Sequence, residues 1–195
     1  LTRLMFYGSY AGALTHATPE EVELDNAFSA LIKVGWERPT PEFRRVFTSL
    51  MIPGATEEQM RWLDELRRMA VTADTAVLSR DQRKRADTRH RLPERDLPTL
   101  VLHCRGDQMN GFDEGRYLAS HIAGARLVAL ESDNHIVLED EPAWPVFVRE
   151  VTDFLAPDRA PAASPTRSDP TALLSARELD VLTLAAVHGD LASQC

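Results

Sequence analysis

Asp107 and His135 are the residues of this sequence whose types and setting could do chemistry together. Asp107 closes the run Cys104-Arg105-Gly106-Asp107, where a glycine permits a sharp turn after an apolar stretch. His135 follows the polar loop Glu131-Ser132-Asp133-Asn134, which comes after a second apolar stretch ending at Leu130. A carboxylate beside an imidazole orients the ring, selects its tautomer and stabilises its charged form. Such a pair activates a nucleophile by taking its proton. Taken singly, each residue has an ordinary explanation, since Asp after a strand forms turns and a loop His is exposed. Found together, 28 positions apart and in the order Asp then His across one strand–helix–strand unit, they form a candidate acid–base pair.

A nucleophile is harder to find. The elbow pattern Gly-x-Ser-x-Gly does not occur in the sequence. Gly8-Ser9-Tyr10-Ala11-Gly12 is the nearest look-alike, but Tyr7 stands two residues before Ser9, where a tight elbow wants a small side chain. Ser9 therefore reads as a loop serine, and Cys104, inside an apolar run, as a buried inert thiol. His135, Glu139 and Asp140 lack a second histidine at ligand spacing, so no metal site is expected. No phosphate loop or dinucleotide fingerprint is present, and no cofactor is expected.

The elements that must position this pair follow from hydrophobic periodicity. Leu97–Cys104 is a continuous apolar strand, residues 113–122 form an amphipathic helix, and Ala125–Leu130 is the next strand. Glu139-Asp140-Glu141 resembles the acidic opening of a helix, and Pro142 is expected to start one carrying Trp144, Phe147, Val148, Val151, Phe154 and Leu155. Strand, helix, strand, helix predicts an α/β fold with parallel strands and right-handed crossovers. Residues 2–8 predict another buried strand. Residues 19–95 read as helical, with Pro19 in a first turn and a capping box at Thr56-Glu57-Glu58-Gln59. The third helical stretch carries Met60, Leu63, Leu66, Arg67 and Met69. Segment 80–95 holds seven basic and three acidic residues, 7 − 3 = +4, without interleaved aromatics. It reads as a solvated helix face leading into a loop and not as a nucleic-acid patch.

Composition bounds the rest. With 22 basic and 30 acidic residues the net charge is −8, and 44% of residues are hydrophobic. Wholesale disorder is excluded, and so is a strong field attracting nucleic acid or an anionic membrane. No apolar run approaches the roughly 20 residues that span a bilayer. Two cysteines cannot make a disulfide scaffold and point to a reducing, cytoplasmic compartment. The opening LTRLMFYGSY lacks the layout of a signal peptide and begins at Leu1, so the chain is expected to open mid-fold as part of a longer protein. Residues 157–171 carry four prolines among small and polar residues, which predicts an extended linker. Beyond it, Ser175 can cap a helix with Glu178 as its box partner, and Leu174 with Leu179 can form a staple. Residues 172–195 are too few for a core and are read as the start of a second domain.

Pro98-Thr99-Leu100-Val101-Leu102-His103, Arg105-Gly106-Asp107, Gly124-Ala125-Arg126-Leu127, Asn134-His135, Pro142 and Phe154-Leu155 together resemble the last third of an α/β-hydrolase. The resemblance covers residues 1–156, with 19–95 as the helical cap. It implies that Asp107 is the triad acid and His135 the histidine, following a nucleophile earlier in chain order. It also implies that Leu1–Gly8 is the strand just after the nucleophile-elbow helix. Leu174-Ser175, Arg177-Glu178-Leu179, Val181-Leu182 and Leu184-Ala185-Ala186, with Gly189 at the turn, resemble the opening helix of LuxR-type helix-turn-helix domains. The match departs after Gly189. The recognition helix is missing, and residues 156–195 hold three Arg against five acidic residues, so DNA would be a partner of a longer protein only. Helix-turn-helix regulators commonly pair on half-sites, which implies a homodimer. Two functions follow: hydrolysis of a small ester, lactone or amide, or ligand sensing by a transcription regulator whose hydrolase-like part only binds.

Overall fold

Six consecutive residues of the second strand are buried, and that continuous apolar run makes it the middle of the sheet. The computed structural model describes residues 2–12 and 18–156. Strands β1 (Leu4–Tyr7), β2 (Thr99–Cys104) and β3 (Arg126–Leu130) lie in the order β1-β2-β3, all parallel. Leu4 pairs with Thr99 and Tyr7 with Leu102, while Leu100 pairs with Arg126 and Cys104 with Leu130. Side chains alternate between faces along a strand. Leu100, Leu102 and Cys104 therefore pack on one side with Leu130 and Val137. Val101 packs on the other with Leu118, Ile122 and Leu92.

The helices are α1 (Pro19–Gly35), α2 (Glu42–Met51), α3 (Glu57–Ala70), α4 (Ala73–Arg85), α5 (Phe112–His121) and α6 (Trp144–Leu155), with a 3₁₀ segment at Arg89–Glu94. Helix α6 covers the first face through Trp144, Phe147, Val151 and Phe154, and α5 covers the second through Leu118. Helices α1 to α4, termed the cap segment, lie between β1 and β2 in the stretch that the sequence reads as helical. Thr56 caps α3 by accepting from the Gln59 N–H, and the Gln59 side chain returns the bond to the Thr56 N–H. Among the described residues no helix is long and apolar enough to cross a membrane. The linker 157–171 and the helix-turn-helix start 172–195 lie outside the described residues.

Two expectations change. Helix α6 begins at Trp144 with Pro145 in its first turn, so Pro142 lies in the preceding turn. Glu139, Asp140 and Glu141 do not open α6, whose first turn holds no acidic residue. Glu141 instead accepts from the Leu138 N–H at 2.6 Å and closes a turn. Within α3, Leu66 and Met69 are exposed, and Leu63 and Asp64 face inward. The reason is polar. Arg45 and Thr48 of α2 donate to the Asp64 carboxylate at 2.8 and 2.5 Å, and this ion pair sets the rotation of α3. Along segment 80–95, Arg80 and Lys84 pair with Asp25 of α1, and Arg89 pairs with Asp87 at 2.6 Å. Much of the local positive charge is thus spent inside the fold.

Leu102→Ala is expected to lose about 2–5 kcal/mol of stability, because its site has no solvent access and neighbours on all sides. Met69→Ala, at 67% exposure, should change it by less than about 0.5 kcal/mol. Chemical denaturation of both variants checks the burial pattern.

Candidate active site

The loops after the three strands meet at the carboxyl edge of the sheet, where open parallel sheets hold their reactive groups. Gly8 follows β1, Asp107 follows β2 and His135 follows β3. The structure brings the two sequence-predicted residues together: His135 Nδ1 lies 2.7 Å from Asp107 Oδ2. The Asp107 side chain has no solvent exposure, whereas the His135 side chain keeps 19%.

Asp107 is held from all sides. Its Oδ1 accepts from the Met109 N–H at 2.8 Å and the Asn110 N–H at 3.1 Å, so the side chain organises its own loop. Burial pushes the carboxyl pKa up, but hydrogen bonds from His135 and the Asn110 and Met109 amides outweigh it. The carboxyl therefore stays below its ordinary value and ionised. An ionised carboxylate only accepts, so the proton in the 2.7 Å contact sits on His135 Nδ1. With Nδ1 committed to Asp107, Nε2 is the ring nitrogen left for proton exchange.

Two glycines permit the close packing. Gly8 has φ +51°, and a Cβ there would lie 2.7 Å from His135 Cε1 and 3.0 Å from Nδ1. Only a bare backbone fits against the imidazole. A Cβ on Gly115 would lie 2.7 Å from His103 Nδ1, so the absence of a side chain lets α5 close on that ring.

Several supporting residues were not legible as such. The Tyr7 hydroxyl donates to the His135 carbonyl at 2.6 Å and accepts from the Val137 N–H at 2.8 Å. Burial drives its pKa far above the usual phenol value, so it remains a donor. Asn110 donates from its side chain to the Gly8 carbonyl at 2.6 Å, joining the Asp loop to the end of β1. His103, fully buried, has Nε2 2.8 Å from the Asn110 carbonyl and 3.5 Å from Asp107 Oδ2. A histidine inside an apolar strand was the one sequence signal for this, since a buried imidazole needs a partner. The cap contributes through its backbone: the Met51 carbonyl at the end of α2 accepts from the His135 N–H at 2.7 Å.

The weaker candidates fall elsewhere. Ser9 Oγ donates to the Tyr7 carbonyl at 3.1 Å. Cys104 is buried, and burial raises its thiol pKa to about 11. Among the described residues no three His, Cys, Asp or Glu side chains are grouped to hold a metal ion.

This architecture is similar to solved structures of hydrolases. An esterase from Exiguobacterium antarcticum matches with TM-score 0.63 and 20% identity over 79% of this chain and 57% of that one. An enol-lactonase from Burkholderia xenovorans LB400 matches with TM-score 0.62 and 19% identity over 80% and 56%. A bromoperoxidase from Bacillus anthracis matches with TM-score 0.63 and 15% identity over 79% and 58%. The chain thus has an α/β-hydrolase-like fold, a parallel sheet with flanking helices, and spans less than three fifths of the length of these neighbours. No family model and no curated protein matches the sequence.

Gly8→Ala is expected to push the His135 ring off Asp107, and a crystal structure or loss of the hydrogen-bonded ring proton in NMR checks this. Acid stability carries a second signature. The folded pKa of Asp107 is depressed, so its contribution is present above the unfolded value near pH 4 and is lost as pH falls through the folded value. Asp107→Asn should flatten that part of the stability–pH curve measured by thermal melts.

Proposed function

We propose that this chain carries the acid–histidine half of a serine-type hydrolase active site, with His135 as general base and Asp107 as its orienting carboxylate. The single observation that carries the reading is the 2.7 Å contact between a solvent-free carboxylate and a partly exposed imidazole. The carboxylate fixes the ring and stabilises the imidazolium, while the exposed side of the ring receives the proton of a nucleophile. The sequence lacks the elbow serine, so the nucleophile is assigned to sequence N-terminal to Leu1, on a strand pairing with the outer edge of β1. That edge has no partner strand among the described residues. The proposed substrate is a small ester, lactone or amide, with the cap over the site. The esterase and enol-lactonase among the structural neighbours support this class without fixing it. A buried free thiol at Cys104 supports a reducing, cytoplasmic setting.

The second reading is a ligand-sensing transcription regulator. It is favoured by the LuxR-like sequence from Leu174 to Gly189, which supports a DNA-binding domain in the longer protein, working as a homodimer. Sensing requires that ligand change operator affinity. Operator binding by a chain extended beyond Cys195, measured with and without ligand, tests it, and unchanged affinity defeats it.

The enzymatic reading is tested in a chain extended upstream of Leu1. A Gly-x-Ser-x-Gly elbow should precede Leu1. With nitrophenyl esters, His135→Ala and Asp107→Asn should each lower kcat by about 10⁴-fold with the fold intact. Equal turnover in the His135→Ala protein would remove the proposed role. The 195-residue chain alone is expected to be inactive, and His135-dependent hydrolysis by it would overturn the placement of the nucleophile.

A further inference from the structure

Between β3 and α6 the chain makes a ring of hydrogen bonds that the reaction chemistry does not use. The Glu141 carboxylate is its hub. Oε1 accepts from the Leu138 N–H at 2.6 Å and from Asn134 Nδ2 at 2.7 Å. Oε2 accepts from the Ser132 hydroxyl. Ser132 Oγ in turn accepts from the Asn134 N–H at 3.0 Å, which closes the ring. Asn134 is 2% exposed and has one group left, its Oδ1, which accepts from the Gly54 N–H at 2.9 Å. Gly54 belongs to the turn between α2 and α3, so the ring reaches into the cap. The next residue, His135, gives its own N–H to Met51 at the other side of that turn.

We propose that Glu141 is a positioning residue for His135, fixing Asn134 between the sheet and the cap turn and thereby the place where the imidazole stands. The physical case rests on orientation. An amide side chain can be turned over, exchanging donor and acceptor. A carboxylate only accepts, so Glu141 forces the NH₂ of Asn134 toward itself and the carbonyl oxygen toward Gly54. Without Glu141, that orientation rests on the Gly54 N–H alone, and the donors of Leu138, Ser132 and Asn134 lose their shared acceptor. The imidazole, one residue along the chain, is then free to move relative to Asp107. The role deepens the hydrolase reading and rests on it for its purpose, although the geometric effect does not require turnover.

The test uses the full 195-residue chain labelled at histidine nitrogen. The Nδ1 proton shared by His135 and Asp107 should give a low-field resonance, assigned by its loss in His135→Gln. Glu141→Ala should abolish this resonance or speed its solvent exchange at least tenfold at temperatures where the chain is folded. Asn134→Ala should do the same, and the double variant should add nothing further, because the two act as one unit. Glu141→Gln keeps an acceptor oxygen and should retain most of the signal. A Glu141→Ala protein that melts lower but keeps the resonance and its exchange rate would reduce Glu141 to a structural residue and overturn the proposal. Additive single variants would overturn it too. If Glu141→Ala does not fold, Asn134→Asp decides: it sets a second carboxylate against Glu141 and should weaken the resonance, and an unchanged one refutes the proposal. Loss of the resonance in these variants, with no esterase activity in any upstream-extended chain, would leave the positioning role standing and remove only the hydrolase reading.

Discussion

The structure depends on keeping one carboxylate ionised without water. Removing a carboxylate from solvent costs several kcal/mol unless donors replace the lost hydration. Asp107 has three: the His135 ring and the amides of Met109 and Asn110. Two of these are supplied by its own loop, so the acid is prepared before the histidine arrives. His135 supplies the third and gains orientation in return. The exchange works only if the ring has a single place to stand, which is why so many groups around it are committed.

That commitment comes from the sheet. Parallel strands in the order β1-β2-β3 put three carboxyl ends side by side. Each end contributes something different. The end of β1 gives a glycine whose missing side chain makes room for the imidazole, and a tyrosine whose hydroxyl bridges the His135 carbonyl and the Val137 amide. The end of β2 gives the acid, with His103 and Asn110 behind it. The end of β3 gives the histidine and its ring of bonds. Register errors of one residue in β2 would turn Leu100, Leu102 and Cys104 to the wrong face, so burial of the strand also sets the place of the acid.

Much of this was legible in the sequence, for a definable reason. Strands, cap helices, the Thr56 capping box and the Asp107–His135 pairing all follow from local patterns or from the adjacency of consecutive parallel strands. Tyr7 was not legible, because its partners lie 128 and 130 positions away and a tyrosine at a strand end has no signature. Glu141 was misread, since an acidic residue before a helix looks the same whether it caps that helix or folds back on the preceding turn. The cap shows the limit of periodicity. Its helices follow the apolar pattern, yet Leu24, Leu66 and Met69 are exposed while Arg44 and Asp64 are buried. Buried polar side chains with specific partners overrode the hydrophobic stripe. Arg44, for instance, donates to the carbonyls of Trp36 and Arg38 at 2.7 and 2.6 Å.

Fold and reaction separate at this site. An esterase, an enol-lactonase and a bromoperoxidase share the architecture, so the sheet alone selects no substrate. What the described residues define is narrower: a partly exposed imidazole whose Nδ1 is held by a carboxylate without solvent exposure. The cap is not independent of that imidazole. Met51 and Gly54 bond the His135 amide and the Asn134 side chain, so the turn between α2 and α3 is part of the support of the histidine loop. A displacement of that turn breaks bonds on both sides of the imidazole at once. The turn between α2 and α3 and the imidazole beside Asp107 therefore share one support, and the hydrogen bonds that couple them apply to an enzyme and to a sensor alike.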